Sequence, residues 1–422
     1  MANSALPQYY EKTLKNGLQI VAIPLNNGTG VITTDIFYKV GSRNETMGKS
    51  GIAHMLEHLN FKSTKNLKAG EFDEIVKSFG GVNNASTGFD YTHYFIKSSS
   101  KNLSKSLSLF AELMENLNLK DEEFQPEREV VAEERRWRTD NNPTGYLYFR
   151  LFNNTFLYHP YHWTPIGFMS DIKNWTIDDI KAFHKLYYAP NNAVVIVAGD
   201  IDKDEVFKNA KKAFGNIKPS KNIPTTIHTI EPKQDGAKDI VIHKDTQVEI
   251  LAINFHIPNF QSDDQVALSA ISELLSGGKS SVLNELLIDK KQLVNTIYAY
   301  NMELKDPGVF MFLAVCNPGV NARDVEALIW QELERLKNGE IDKTILDKIK
   351  INTKADFIFS LESSSSVASL YGSYFARGDI KPLLNYEKNI ENLKISDIIA
   401  VSKKYFTKDN STTVILKQKD NK

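Results

Sequence analysis

The chain of 422 residues carries a formal net charge of −1, with 41% hydrophobic and 24% charged residues. That is the balance of a globular protein too long for one small core, with no global basic field to attract nucleic acid or an anionic membrane. No apolar stretch approaches the roughly 18 residues needed to span a bilayer. The single cysteine, Cys316, excludes a disulfide framework and a cysteine-rich metal site. In the apolar run Val309–Cys316 it reads as a buried, inert thiol.

Met1–Tyr10 has no basic segment followed by an apolar one, so it does not read as a secretion leader. The cytoplasm is the default compartment, with the periplasm or exterior as the alternative if a leader has been removed. Strand-like pieces follow at Leu18–Pro24 and Val31–Val40, the latter partly alternating apolar and polar. Helical patterns come next, around Gly51–Phe61, Ala69–Ser78, Leu103–Leu117 and Asp121–Trp137. The first half closes on Tyr187-Tyr188-Ala189-Pro190-Asn191-Asn192, a turn feeding the buried strand Ala193–Ala198.

The segment Asn216–Gly236 is rich in Lys, Pro, Thr and Asn and lacks a helical period, so it reads as a linker. Beyond it lie strands at Ile240–His243 and Val248–His256 and helices near Asp263–Leu275 and Val325–Gly339. The chain ends with Tyr405-Phe406-Thr407-Lys408-Asp409-Asn410 feeding Thr412–Leu416, an echo of the first half's close. Two copies of one α+β unit are therefore expected: residues 1–215, a linker at 216–236, and 237–422.

The chemistry concentrates in His54-Met55-Leu56-Glu57-His58. Histidines at i and i+4 project from one helix face, close enough for both imidazoles to reach one zinc ion. Glu57 stands beside them, placed to take a proton from water activated there and pass it to a leaving amine. Ser50 is the expected N-cap, and no proline interrupts. The pentapeptide alone also suits a solvated surface helix.

A hydrolytic zinc site wants a third protein ligand and an open position. Candidates cluster in Pro126–Arg136, a helix pattern with proline at its start. Glu127 and Glu134 lie seven apart, on one face, so one could serve the metal and the other support a ligand. Glu133 competes with Glu134 but points about 100° away. The remaining histidines, including His93, His162 and His184, lack ligand spacing, and Gly277-Gly278 lacks the pattern of a phosphate-binding loop.

In order and content these features resemble the pitrilysin-type metallopeptidases, which include insulin-degrading enzyme and mitochondrial processing peptidase. The inverted motif H-x-x-E-H is their signature. Leu14–Leu18, Gly51–Thr64, Gly80–Tyr94 and Glu127–Glu134 match further, with weaker matches at His159-Pro160-Tyr161 and Ile166-Gly167. The resemblance implies a clam-shell of two homologous halves, each a mainly antiparallel sheet covered by helices. It implies Zn2+ held by His54, His58 and Glu134, Glu57 as general base, and Glu127 as a supporting carboxylate. It also implies that Asn84, Ala85 and Thr87 meet a peptide substrate added to an edge strand.

One departure stands out. Family members active alone supply an arginine and a tyrosine from the second half, and those positions hold Ile288 and Asn295 here. Without such a donor pair turnover falls by on the order of 10²–10³. The resemblance therefore implies the zinc-bearing subunit of a heterodimer whose homologous partner supplies the pair, with a homodimer as a further arrangement. The alternative is a non-catalytic structural or presenting subunit.

Overall fold

The computed structural model describes residues 5–224, 226–341 and 343–419. Residues 1–4, part of the stretch read for a leader, lie outside them. Among the described residues the strands form two sheets and the chain divides into two compact units.

The first sheet uses β1 (Tyr10–Thr13), β2 (Gln19–Pro24), β3 (Val31–Tyr38), β4 (Val82–Thr87), β5 (Thr92–Ser99) and β6 (Ala193–Gly199), in the order β1-β2-β6-β3-β5-β4. Only β2 and β6 pair in parallel. The second sheet uses β7 (Lys238–Lys244), β8 (Ile250–His256), β9 (Val294–Met302), β10 (Val309–Cys316) and β11 (Ser411–Gln418), in the order β7-β11-β8-β10-β9. Again one pair, β7 with β11, is parallel. The permutation β2-β6-β3-β5-β4 matches β7-β11-β8-β10-β9 strand for strand. In each set of five, the last strand in sequence slots between the first two. The echo between the two closing segments is therefore the trace of a repeated α+β unit.

Packing does not divide the chain at the linker alone. One unit takes 1–133, 163–229 and 358–383; the other takes 134–162, 230–357 and 384–422. Each half of the sequence thus lends one segment to the unit built mainly from the other, unlike the contiguous division expected. The reason is burial on both sheet faces. Strands such as β6, buried at every position, and β8, buried from Ile250 to Phe255, need cover above and below. In the second unit, Leu147 and Leu151 from helix Pro143–Thr155 pack with Ile250, Ala252, Leu313 and Val414. In the first, helix Ser364–Arg377 lies on β3 and β6, and Thr33 hydrogen-bonds Ser364 at 2.8 Å.

Gly372, on that second helix, faces the Phe37 ring of β3 so closely that an added Cβ would lie 2.0 Å from Phe37 Cε2. Gly372→Ala is expected to cost about 2 kcal/mol through overpacking, read as a lowered urea midpoint with an unchanged slope. A neutral outcome would show that the helix can lift off its sheet without penalty.

Candidate metal centre

The helix α1 (Ile52–Asn60) coincides with the segment expected to be helical. Met55, Leu56 and Leu59 are sealed into the first unit's core. The 3.6-residue period therefore turns His54, Glu57 and His58 to the other side. The two imidazoles stand edge to face with ring centroids 4.7 Å apart.

Ser50 is not the cap. The N-cap is Gly51, at φ 85°, and no side chain of its own caps the helix. The orphan amides go instead to Glu45, in the loop ahead of the helix, which sequence reasoning missed. Its Oε2 accepts from Gly51 N at 2.8 Å and from Trp163 Nε1 at 2.7 Å, and its Oε1 accepts from Ala53 N at 2.8 Å. Glu45 is 4% exposed. Burial pushes its carboxyl up to about 8, against the pull of the Ala53, Gly51 and Trp163 N–H groups. Ser50 bonds elsewhere, donating to Asp171 at 2.6 Å and accepting from Phe168 N at 2.9 Å. A Cβ on Gly51 would meet Ile166 O at 2.7 Å, and one on Gly167 would meet Ser50 O at 2.5 Å. Those contacts explain why the Ile166-Gly167 stretch accompanies the metal motif. It is the backbone against which the start of α1 is laid.

A second helix, α2 (Asp121–Arg135), brings the acidic residues. It begins at Asp121, as the helical pattern over Asp121–Trp137 predicts, so Pro126 falls inside the helix rather than at its start. The proline costs one i→i−4 hydrogen bond, while Asp121, Glu122 and Glu123 in the first turn favour the helix dipole. Glu127 Oε1 lies 2.8 Å from His58 Nδ1, and Glu127 Oε2 lies 2.6 Å from Lys62 Nζ. A carboxylate on Nδ1 fixes the tautomer that presents Nε2 as a ligand. Burial opposes ionisation of Glu127, yet the His58 and Lys62 contacts hold its carboxyl below the usual range. Lys62, just past the end of α1, was not foreseen as a member of this group.

Two turns further along α2, Glu134 joins His54 and His58 in a cluster whose ligand atoms all lie within 4.8 Å of one another. Arg138 Nε approaches Glu134 Oε1 at 3.1 Å, and the helix widens into a π-turn over Arg136–Asp140. Glu133 is exposed and outside the cluster.

Glu57 receives a hydrogen bond on Oε2 from the Thr87 hydroxyl at the end of β4. Asn84 stands on the exposed face of β4 and accepts from the Ala85 amide at 2.9 Å, whereas Ala85 and Thr87 share the half-buried face. Of the three residues expected at substrate, the structure thus puts Asn84 on one side and Ala85 and Thr87 on the other. His93 pairs with Asp35 at 3.0 Å, and His162 with Phe156 O at 2.6 Å. Burial pushes His184 down to about 4, and none of the three belongs to the cluster. Ile288 packs partly buried on the second unit's core, and Asn295 is exposed on β9. Cys316 is fully buried, and burial holds its thiol up at about 12. No helix among the described residues is long and apolar enough to cross a membrane.

Two imidazoles and a carboxylate on adjoining helices, with a second carboxylate against one imidazole, form a donor set that could hold a metal ion. Residues 20–161 match the insulinase domain of peptidase family M16, and 174–353 match the domain described as the M16 inactive domain. All the clustered ligand candidates fall in the first match. The chain is 59% identical over 419 residues to the zinc protease PqqE of Helicobacter pylori, covering 99% of this chain and 94% of the relative. A probable mitochondrial-processing peptidase subunit beta from Arabidopsis thaliana is 24% identical, covering 97% of this chain and 78% of the relative. The crystal structure of a protease from Helicobacter pylori superposes with a TM-score of 0.96 at 58% identity, covering 98% of this chain and 100% of that one. The chain belongs to peptidase family M16.

Glu45→Ala is expected to lower stability by about 3 kcal/mol, since it strands three N–H donors without their acceptor. Glu45→Gln should recover part of that, because its amide can accept but also turns an NH2 toward a donor. Urea midpoints for the pair test this, and equal stability of the alanine variant and the parent would remove Glu45 from its role.

Proposed function

We propose that the chain is a zinc metallo-endopeptidase hydrolysing short or unfolded peptides, and that it is the zinc-bearing subunit of a heterodimer. The observation that carries the reading is the convergence of His54, His58 and Glu134 donor atoms within 4.8 Å. Two neutral imidazoles and one carboxylate form a His2Glu donor set, which suits zinc and leaves a position open. His54, His58 and Glu134 would hold the ion. Zinc in such a site supplies Lewis acidity and lowers the pKa of water.

The remaining work falls to the chain's own groups. Glu127 holds the Nδ1 side of His58, and Lys62 balances the charge of Glu127. Glu57, on the same face of α1 as the histidines, is the general base that takes a proton from the attacking water and returns it to the leaving amine. A peptide is recognised along β4, the terminal strand of its sheet, through main-chain hydrogen bonds beside Asn84 and Ala85. Recognition of that kind reads backbone and tolerates many side chains, which favours extended, unfolded substrates.

Ile288 and Asn295 offer neither a guanidinium nor a phenol where active single-chain relatives place them, which supports the reading that a homologous partner completes the site. The relative from Arabidopsis thaliana is itself named as a subunit.

Glu57→Gln is expected to cut peptide hydrolysis by about 10³-fold with zinc content unchanged, whereas His58→Ala should lose the zinc. Metal analysis alongside a fluorogenic-peptide assay reads both. Unchanged hydrolysis by Glu57→Gln would overturn the mechanism, and no hydrolysis by the zinc-loaded parent with its partner would point to a non-catalytic subunit. For the partner, the zinc-loaded chain alone should turn over slowly and gain on the order of 10²-fold when a homologous subunit carrying the Arg/Tyr pair is added. Full activity without any partner would refute the heterodimer.

A further inference from the structure

Strand β4 alternates regularly: Asn83, Ala85 and Thr87 are half-buried, and Val82, Asn84 and Ser86 are exposed. The period of two places the first set on the side of the helices. Asn83 Nδ2 donates to Asp73 of helix Glu71–Ser78 at 2.7 Å, and Ala85 packs on the core that α1 seals. Thr87, the third of the set, donates its hydroxyl to Glu57 Oε2. Its backbone is held in register opposite Thr92 of β5, so the hydroxyl approaches Glu57 from a fixed strand. A threonine side chain is stiff at χ1, whereas a glutamate has three rotatable bonds and loses its aim unless something selects a rotamer.

We propose that Thr87 is a positioning residue: its hydroxyl occupies one oxygen of Glu57 and so aims the other, coupling the base to the strand along which substrate is laid. This rests on the reading of Glu57 as general base. It replaces the expectation that Thr87 meets the peptide. The side chain faces α1, and its proton is committed to a carboxylate rather than to the outward face shared by Asn84 and Ser86. The outcome is a geometric link. The substrate's main chain and the carboxylate that handles its proton are both referenced to β4, so the two stay in step when the strand shifts.

The test compares Thr87→Val, which keeps the shape and deletes the hydroxyl, with Thr87→Ser, which keeps the hydroxyl. Glu57→Gln and the Glu57→Gln/Thr87→Val double variant complete the set. All are full, zinc-loaded chains assayed under the conditions of the parent. Thr87→Val should lower kcat about 10- to 100-fold, the scale of a misplaced catalytic group, with KM within about twofold and zinc content full. Thr87→Ser should restore most of the loss, and the double variant should be no slower than Glu57→Gln alone, because the two residues act as one unit. Unchanged kcat in Thr87→Val, a rise in KM alone, failure of serine to rescue, or additive losses in the double variant would each overturn the proposal. If Glu57→Gln is inactive in those cases, the peptidase reading survives. If Glu57→Gln keeps full activity, Glu57 is not the general base, and this proposal falls with that role.

Discussion

Three N–H groups converge on the buried carboxyl of Glu45, and the placement of α1 follows from that convergence. A helix start leaves amides without partners, and water usually takes what a local cap does not. Here the start is buried, so an acceptor must come from another part of the chain. It arrives from a loop ahead of the helix and is itself steadied by the indole of Trp163. At the other end, Asn60 donates to Leu56 O at 3.0 Å and to the Tyr94 hydroxyl at 2.7 Å. Between these anchors the apolar face of α1 is locked into the core. The orientation of His54, Glu57 and His58 is thereby settled by the fold itself, which would lower the reorganisation needed to bind an ion.

The repeated sheet permutation shows what the fold does and does not determine. Both units thread five strands in the same spatial order and cover them with helices, yet among the described residues only the first half of the sequence supplies a cluster such as His54, His58 and Glu134. In the second unit the helix Asp264–Ser276, which likewise follows the second strand of its repeat, spends its residues on the core, with Leu268 and Ile271 fully buried. The same scaffold supports a polar face in one copy and packing in the other. Function belongs to residues placed on the fold rather than to the fold.

Much of this was legible in the chain itself. The i, i+4 histidines predicted α1 to within a residue at each end, because local periodicity and helix propensity agree there. The paired turn-and-strand endings predicted a repeat, because each ends in a buried strand with a strong apolar signature. Two features were not legible, because neither follows from a repeating pattern of neighbouring residues. Ser50 looked like a cap since caps are normally neighbours, but the acceptor came from Glu45. The exchange of helices between units left no mark in sequence, because Ser364–Arg377 reads as an amphipathic helix whichever sheet it covers. Thr87 belongs with these. Its position suggested a contact with peptide, and only the pleat of β4 shows that it faces Glu57.

The exchange has a consequence for the chain's history on the ribosome. A sheet whose strands are made by residue 199 waits for cover from residues 364–377. Until then the ring of Phe37 and its neighbours on that face stay open to solvent. The conventional order, in which an N-terminal domain folds while the remainder is still being made, is therefore closed to this protein. Its first unit matures only when most of the chain has been synthesised. An incomplete product ending at the linker would carry every metal-ligand candidate and still present a bare apolar sheet face, the kind of surface that chaperones hold and proteases remove.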